Sequence, residues 1–376
     1  MRKELAKVKI DAGLHERFET PTRFLLPKSS FLSENSSKVY LEIKKELVPI
    51  QLKESKDSFE AFTILPQMKV QEILEGRIVL CDIEENEEQF SHSSNGGVLT
   101  VSYGRNLILG YNYGSWLKKP YFYPVVSTNG VRVTEDGPKD HIHHRSLWVA
   151  HGDVNGFDFW SEFESSGKIE AKDVKVISSG KVFFELSSKN LWVERSGGVE
   201  LYEDRTLKVW KLSKDLLLDF SISLFNDEKD TKFGDTKEGG ILSVRVNEKI
   251  KVQNGGRIEN SFGGINEKET WGKRAAWCNY SGKVDGNAVG IAIFDHLENF
   301  RFPTYWHVRN YGLMTANMFG VSFFTSSPNM RGDYLLPKGE VLKFNYRVLV
   351  HEGKDPSYIR SKYIDFIYPP KVEVLV

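Results

Sequence analysis

Alternation of apolar and polar residues with a period of two dominates the chain and restricts it to β folds. Val182-Phe183-Phe184-Glu185-Leu186, Leu191-Trp192-Val193-Glu194, Thr206-Leu207-Lys208-Val209-Trp210 and Leu216 through Leu224 are short, β-branched or aromatic, and bounded by turn residues. Punctuation recurs at Asn95-Gly96-Gly97, Asn129-Gly130, Ser179-Gly180, Ser196-Gly197-Gly198, Asn254-Gly255-Gly256 and Asp285-Gly286. Asn-Gly and Asp-Gly favour two-residue hairpins, because a type I′ turn demands positive φ at both central positions. Strands recurring every roughly 8–12 residues predict a sandwich or barrel. One segment reads as a helix, Pro356 to Ile367, just before Pro369-Pro370.

The expected architecture is all-β. A small N-terminal β-sandwich spans residues 1–80, a linker 81–97, a large antiparallel domain 98–355 and a C-terminal helix or strap 356–376. The boundary is placed at the acidic stretch Asp82 to Glu88 and the turn at Ser93 to Gly97. A Ser/Lys-rich loop, Pro27 to Lys38, interrupts the first domain.

Charge narrows the function classes. The 51 basic and 51 acidic side chains cancel, whereas a nucleic-acid binder carries a basic face. No apolar run approaches the roughly 18–20 residues of a membrane helix, and MRKELAKVKI at the N-terminus has no signal-peptide core. Cys81 and Cys278 are the only cysteines, which leaves no thiolate zinc site or disulfide framework. The expected compartment is the cytoplasm. Glycine pairs such as Gly239-Gly240 and Gly263-Gly264 match neither a dinucleotide fingerprint nor a P-loop, so no cofactor is expected.

Chemistry is expected where histidine concentrates. Of the chain's nine histidines, four (His141, His143, His144 and His151) fall between residues 141 and 151, beside Asp140, Trp148 and Asp153. Histidine titrates closest to neutrality and is the commonest metal ligand. If residues 141–144 are extended, His141 and His143 share one face and His144 takes the other. Each histidine singly is as readily a packing residue satisfied by backbone carbonyls.

Three further segments stand out. In Phe233 to Arg245, Glu238 precedes a double glycine and is a candidate base, or simply a charged surface turn; Arg245 on a strand face offers a planar fork for a carboxylate or hydroxyl pair. Asp295-His296 and Tyr305 to Gly312, with His307, Arg309 and Asn310, combine aromatic faces with hydrogen-bonding groups, the combination a sugar ring requires. Aromatic strand residues are equally ordinary core. Tyr346 to His351 reads as a further strand, whose terminal histidine could simply cap the sheet.

Together these segments resemble the PmoA-like family. The matching stretches include Tyr121 to Pro124, Asp136-Gly137-Pro138 through Asn155-Gly156-Phe157-Asp158-Phe159-Trp160, Gly234 to Gly240, Arg274 to Trp277, Val289 to His296, Trp306 to Gly312 and Tyr346 to Gly353. The resemblance covers about residues 98–355. Ser146 departs from it, standing where glycine would follow His-His-Arg. The family's methane-oxygenase label does not carry over, since such subunits are integral membrane proteins. The resemblance implies a role in carbohydrate catabolism and, by analogy, the supersandwich of galactose-mutarotase-like proteins, although fold alone does not fix function.

The first reading is therefore a metal-independent enzyme acting on a sugar. A histidine of the cluster (His143, His144 or His151) serves as acid and Glu238 or His307 as base, with histidine pKa values raised by Asp140, Asp153 or Asp295. Trp148, Asp153, Arg245, Asp295, His296, Arg309 and Asn310 would hold the sugar. The alternatives are a metal-dependent hydrolase or lyase using His141, His143 and His151 with Asp153 or Glu238, and a non-catalytic carbohydrate-binding protein. The partner expected is a small carbohydrate, with no nucleic acid and no membrane; a long exposed β surface could also support a homodimer.

Overall fold

The computed structural model describes residues 2–28, 38–82 and 88–375; most of the Pro27–Lys38 loop and of the acidic 82–88 stretch lies outside them. The molecule is all-β, built on two eight-stranded antiparallel sheets. The first sheet, here the site sheet, runs in spatial order Tyr305–Val308, Leu313–Asn317, Leu242–Arg245, Leu147–Val149, Tyr121–Val125, Asn106–Asn112, Val98–Tyr103 and Phe90–Asn95. The second, the backing sheet, runs Lys168–Ser179, Phe183–Val193, Val199–Lys211, Asp215–Phe225, Val341–His351, Asn287–Asp295, Trp277–Val284 and Arg257–Asn260.

Alternation explains how the sheets stack. Leu216, Leu218, Phe220, Ile222 and Leu224 of one backing strand join a core with Phe122, Leu147, Val244 and Met314 of the site sheet. The intervening Leu217, with Leu349, Ala292 and Phe294, packs the other way onto Ile359 and Tyr363 of the C-terminal helix and Phe62 of the N-terminal domain. The backing sheet is thus covered on both faces.

Local chemistry sets the turns. Asp285 and Gly286 have φ of 50° and 84° and close the hairpin between Trp277–Val284 and Asn287–Asp295, the geometry a type I′ turn demands. The segments at 182–186 and 191–194 are one continuous strand, Phe183–Val193, paired along its length with Val199–Lys211. The helix spans Pro356–Ile367, with proline in its first turn and the Asp355 side chain accepting from the Tyr358 amide at 2.9 Å.

The N-terminal domain is a small sandwich of a five-stranded and a three-stranded sheet around its own core of Ile10, Phe24, Leu41, Phe59 and Ile78. Two segments differ from the sequence reading. Phe90–Asn95, read as linker, is the edge strand of the site sheet, hydrogen-bonded to Val98–Tyr103. Lys371–Leu375, read as strap, is a strand antiparallel to Arg2–Asp11, so the chain's end completes its beginning. Period two holds in Lys371–Leu375 but not in Phe90–Asn95, where only Phe90 is buried, and a single edge strand gives no sequence signal for which partner it will find.

No helix among the described residues is long and apolar enough to cross a membrane. Removing residues 370–376 would strip the strand that covers the Arg2–Asp11 edge, and uncovered edges pair with other chains. The truncated protein is expected to show a lower melting temperature and concentration-dependent association in gel filtration; an unchanged monomeric profile would contradict this.

Candidate functional site

The site is built on the face of the site sheet that points away from the core. Register places Trp148 opposite Ser243, Ser243 opposite Thr315, and Thr315 opposite His307. Opposed residues share a face, so these four side chains form one row across four strands, roughly 14 Å long at the usual strand spacing. The neighbours in sequence, Leu147, Val244, Met314 and Val308, point into the sandwich core. All four residues of the row are buried, because loops fold over this face.

The row is polar without being satisfied. Trp148 Nε1, Ser243 Oγ and Thr315 Oγ1 are buried and have no hydrogen-bond partner among the described residues. Each such orphan costs about 1–3 kcal/mol unless something fills the gap. His307 Nδ1 lies 2.7 Å from the Lys237 carbonyl, so it carries the proton. Its Nε2 lone pair has no hydrogen-bond partner among the described residues.

The histidine-rich segment covers one end of the row. It is not extended: His141 N bonds to Pro138 O at 3.0 Å, His144 N to His141 O at 2.9 Å and Gly137 N to His144 O at 3.0 Å, a compact turn flanked by Gly137-Pro138. The three histidines therefore gather instead of dividing between two faces. The His144 and His141 rings stack at 4.5 Å and 7°, His141 and Tyr311 at 4.7 Å and 15°, and Trp148 continues the column at 5.7 Å from His144. His143 sets its edge against both His141 and His144.

Arg245 ties this turn to the sheet. Its side chain is fully buried, and Nη2 reaches both Asp140 oxygens at 2.7 and 2.6 Å. Nη1 lies 3.2 Å from His144 Nδ1; a guanidinium only donates, so Nδ1 accepts and the His144 proton sits on Nε2. The same guanidinium lies over the Tyr311 ring at 5.1 Å. Burial opposes the ionisation of Asp140, but Arg245 overrides it and brings the carboxyl down to about 2.

The loop bearing Glu238 covers the other end. Asn317 Nδ2 holds the Thr236 and Lys237 carbonyls at 3.0 and 3.2 Å. Gly240 has φ of 126°, and a Cβ there would meet Ala316 O at 2.1 Å, so only glycine lets the loop lie directly on the strand. Glu238 is left half-exposed at the edge of the covering loop, paired with Lys237 at 2.7 Å, and within electrostatic reach of His143, His307 and Tyr311.

The electrostatics reverse one expectation. Carboxylates near the histidines were to raise their pKa values; burial lowers them instead. It pushes His307 down to about 4, with Glu238 opposing. It lowers His143, reinforced by Lys119 and His141, and holds His144 far below the usual imidazole range, reinforced by His143 and His141. These rings are neutral at pH 7, so none serves as an imidazolium acid. Asp140 does not counter this because its charge is committed to Arg245.

The remaining sequence candidates lie apart from the row. His151 is fully buried between Phe233 and Phe319, its Nε2 on Gly234 O at 3.0 Å and its Nδ1 on Gly240 N at 3.4 Å; burial takes it to about 4. With both ring nitrogens engaged, it braces the loop. Asp153 accepts from Gly156 N at 2.9 Å and supports the Asn155-Gly156 turn. Asp295 accepts from Asn299 and Thr304 on the backing sheet, and burial raises it to about 7. His296 packs on Phe366 of the C-terminal helix. Asn310 is tied to Glu267 through its amide and side chain. Arg309 stays at the site, over Tyr311 at 5.6 Å and 2.9 Å from Glu267. Ser146 turns its hydroxyl onto Thr134 at 2.5 Å.

The donor set expected for a metal, His141, His143 and His151 with Asp153 or Glu238, does not come together: both ring nitrogens of His151 are engaged by Gly234 O and Gly240 N, and Asp153 serves the Asn155-Gly156 turn. Among the described residues no three His, Cys, Asp or Glu are grouped to hold an ion.

Sequence reasoning missed Ser243, Thr315, Lys119 and Trp160. The first two were visible as polar positions alternating with apolar ones in Leu242–Arg245 and Leu313–Asn317. Lys119 is buried, donates to Trp160 O at 2.6 Å and pairs with Glu162 at 3.1 Å; burial lowers it to about 8 with Glu162 opposing. It supports Trp160, whose ring edge meets His144 at 5.8 Å. No local pattern announced that contact.

The chain belongs to a family of unknown function, DUF6807. The family model matches residues 98–361, which contain the whole site. No curated protein matches the chain.

Two outcomes follow from this geometry. Arg245→Met removes the clamp on Asp140 and His144 and is expected to cost about 3 kcal/mol in urea denaturation, the low end for a broken buried pair because Asp140 can turn to water; a loss below about 0.5 kcal/mol would contradict the clamp. His151 and His307 stay neutral when folded down to about pH 4, whereas unfolded histidine binds a proton near 6.5. The unfolded state therefore takes up more protons as pH falls between these values. Stability is full above about 6.5 and drops by up to roughly 3 kcal/mol per ring by about pH 4. A denaturation series in that window should show the slope, and His307→Asn should flatten it; identical slopes would refute the assignment.

Proposed function

We propose that the protein binds a sugar against the polar row and the ring column, and moves a proton on it in the manner of a mutarotase or epimerase. The observation that carries this reading is the buried, unpaired row of Trp148 Nε1, Ser243 Oγ and Thr315 Oγ1 beside the Nε2 of His307. Donors and acceptors interleaved at one-strand intervals suit successive hydroxyls, and the adjoining stacked rings suit the C–H face of a pyranose. The resemblance to PmoA-like proteins and to mutarotase-like supersandwiches supports the same class.

His307 is the proton acceptor in this scheme. Its Nδ1–H is fixed on the Lys237 carbonyl, which aims Nε2 and fixes its tautomer, while Glu238 raises its basicity against burial. Tyr311, raised to about 12 by burial, keeps its proton at neutral pH and is the matching donor. Glu238 at the edge of the covering loop meets a hydroxyl or the exchanging proton. His144, pinned by Arg245, orients and stacks.

The test is an aldohexose panel followed by NMR exchange spectroscopy, with wild type and His307→Asn. Wild type is expected to accelerate interconversion of at least one sugar, and the variant to lose about 10²–10⁴-fold in kcat while still binding it. Turnover retained in His307→Asn would remove the base; failure of every sugar to bind would remove the reading.

A further inference from the structure

The charges around the row are arranged in closed pairs. Arg245 is held by Asp140 at 2.6 Å and Lys251 by Glu135 at 3.4 Å. Arg309 has Glu267 at 2.9 Å, and Lys237 has Glu238 at 2.7 Å. Lys119 and Arg145 share Glu162, at 3.1 and 2.5 Å, and Arg145 also meets Asp136 at 3.2 Å. Six cations thus face six carboxylates. His143, His144 and His307 add no positive charge at neutral pH, being held in the neutral form.

An anionic ligand needs a cation that is not already spent. Phosphate and carboxylate recognition relies on arginine forks or lysine charges open to the ligand. Here the two guanidiniums nearest the ring column, Arg245 and Arg309, each lie over Tyr311 with a carboxylate already on them. A phosphate or uronate entering the row would bring an uncompensated charge toward buried groups whose neighbouring cations already carry carboxylates. The orphan groups of the row itself, two hydroxyls and an indole N–H, are neutral hydrogen-bonding partners; Nε of Arg245 and of Arg309 beside it also make no hydrogen bond, but both guanidiniums already stand against carboxylates.

We infer that the site is selective for neutral glycosides and excludes sugar phosphates and uronic acids, with the paired carboxylates acting as the selecting residues. This rests on the sugar-binding reading above. Glu267 is the most informative of the selectors: it stands on Arg309 and also accepts from the Asn310 amide at 2.8 Å. Glutamine in its place keeps an acceptor for that amide and leaves Arg309 without a counter-charge.

The experiment is isothermal titration of the full chain with methyl glucoside, methyl galactoside, methyl glucuronide and glucose 6-phosphate, for wild type and Glu267→Gln. In wild type a neutral glycoside is expected to bind at least about tenfold more tightly than the charged sugars. In Glu267→Gln the ratio of glucuronide to neutral affinity should rise by about tenfold. Charged sugars binding wild type as tightly as neutral ones would overturn the inference while leaving the sugar site standing. An unmoved ratio in the variant would overturn the role of the pairing. Binding of neither class would remove the sugar reading, and the inference with it.

Discussion

The Arg245 guanidinium holds the site together. It stands fully buried on the outer face of a sheet whose other face is core, and it reaches Asp140, His144 and the Tyr311 ring at once. A cation in that position is tolerable only if the covering turn brings it a carboxylate, and Asp140 does so. The turn is thereby fixed on the sheet, and with it the column of Tyr311, His141, His144 and Trp148. Acidity within the site follows from the same contact: Asp140 is engaged by the guanidinium, Glu238 only partly opposes burial at His143 and His307, and burial keeps His143, His144 and His307 neutral.

A sheet covered on both faces usually carries apolar residues on both. The site sheet mixes apolar and polar residues on its outer face, where Trp148, opposite Tyr121, packs with Trp160 beside polar positions. On its outer face Trp148, Ser243, Thr315 and His307 follow one another in register, and three of their polar atoms have no partner among the described residues. Glycine makes the cover possible at the far end, where Gly240 lies against the Ala316 carbonyl and lets the Glu238 loop rest on the strand. Stability has been given up along this line, where the local rules of a packed sheet are broken in succession, and the proposed binding function rests on it.

The fold was legible because its signals are local. Period-two runs, Asp285-Gly286 and the proline-led helix at 356–367 announce themselves within a few residues. The site was legible in part. His143, His144, Glu238, Arg245, His307, Arg309 and Trp148 do assemble, and unusual composition was what pointed to them. Composition could not separate His151, which braces a loop, from its neighbours, because only the Gly234 and Gly240 contacts distinguish it. Nor could it place His296 against Phe366 of the C-terminal helix, or Asp295 on the backing sheet opposite Tyr346. Ser243 and Thr315 needed strand register, and the direction of the histidine pKa shifts needed burial; both are products of tertiary structure.

The account stands or falls on whether the polar row is occupied. A crystal structure of the protein soaked with a bound glycoside tests it directly. The account predicts ligand hydroxyls within about 3.2 Å of Trp148 Nε1, Ser243 Oγ and Thr315 Oγ1, with one hydroxyl on His307 Nε2. A sugar seated elsewhere, with the row dry and closed by its neighbours, would contradict it.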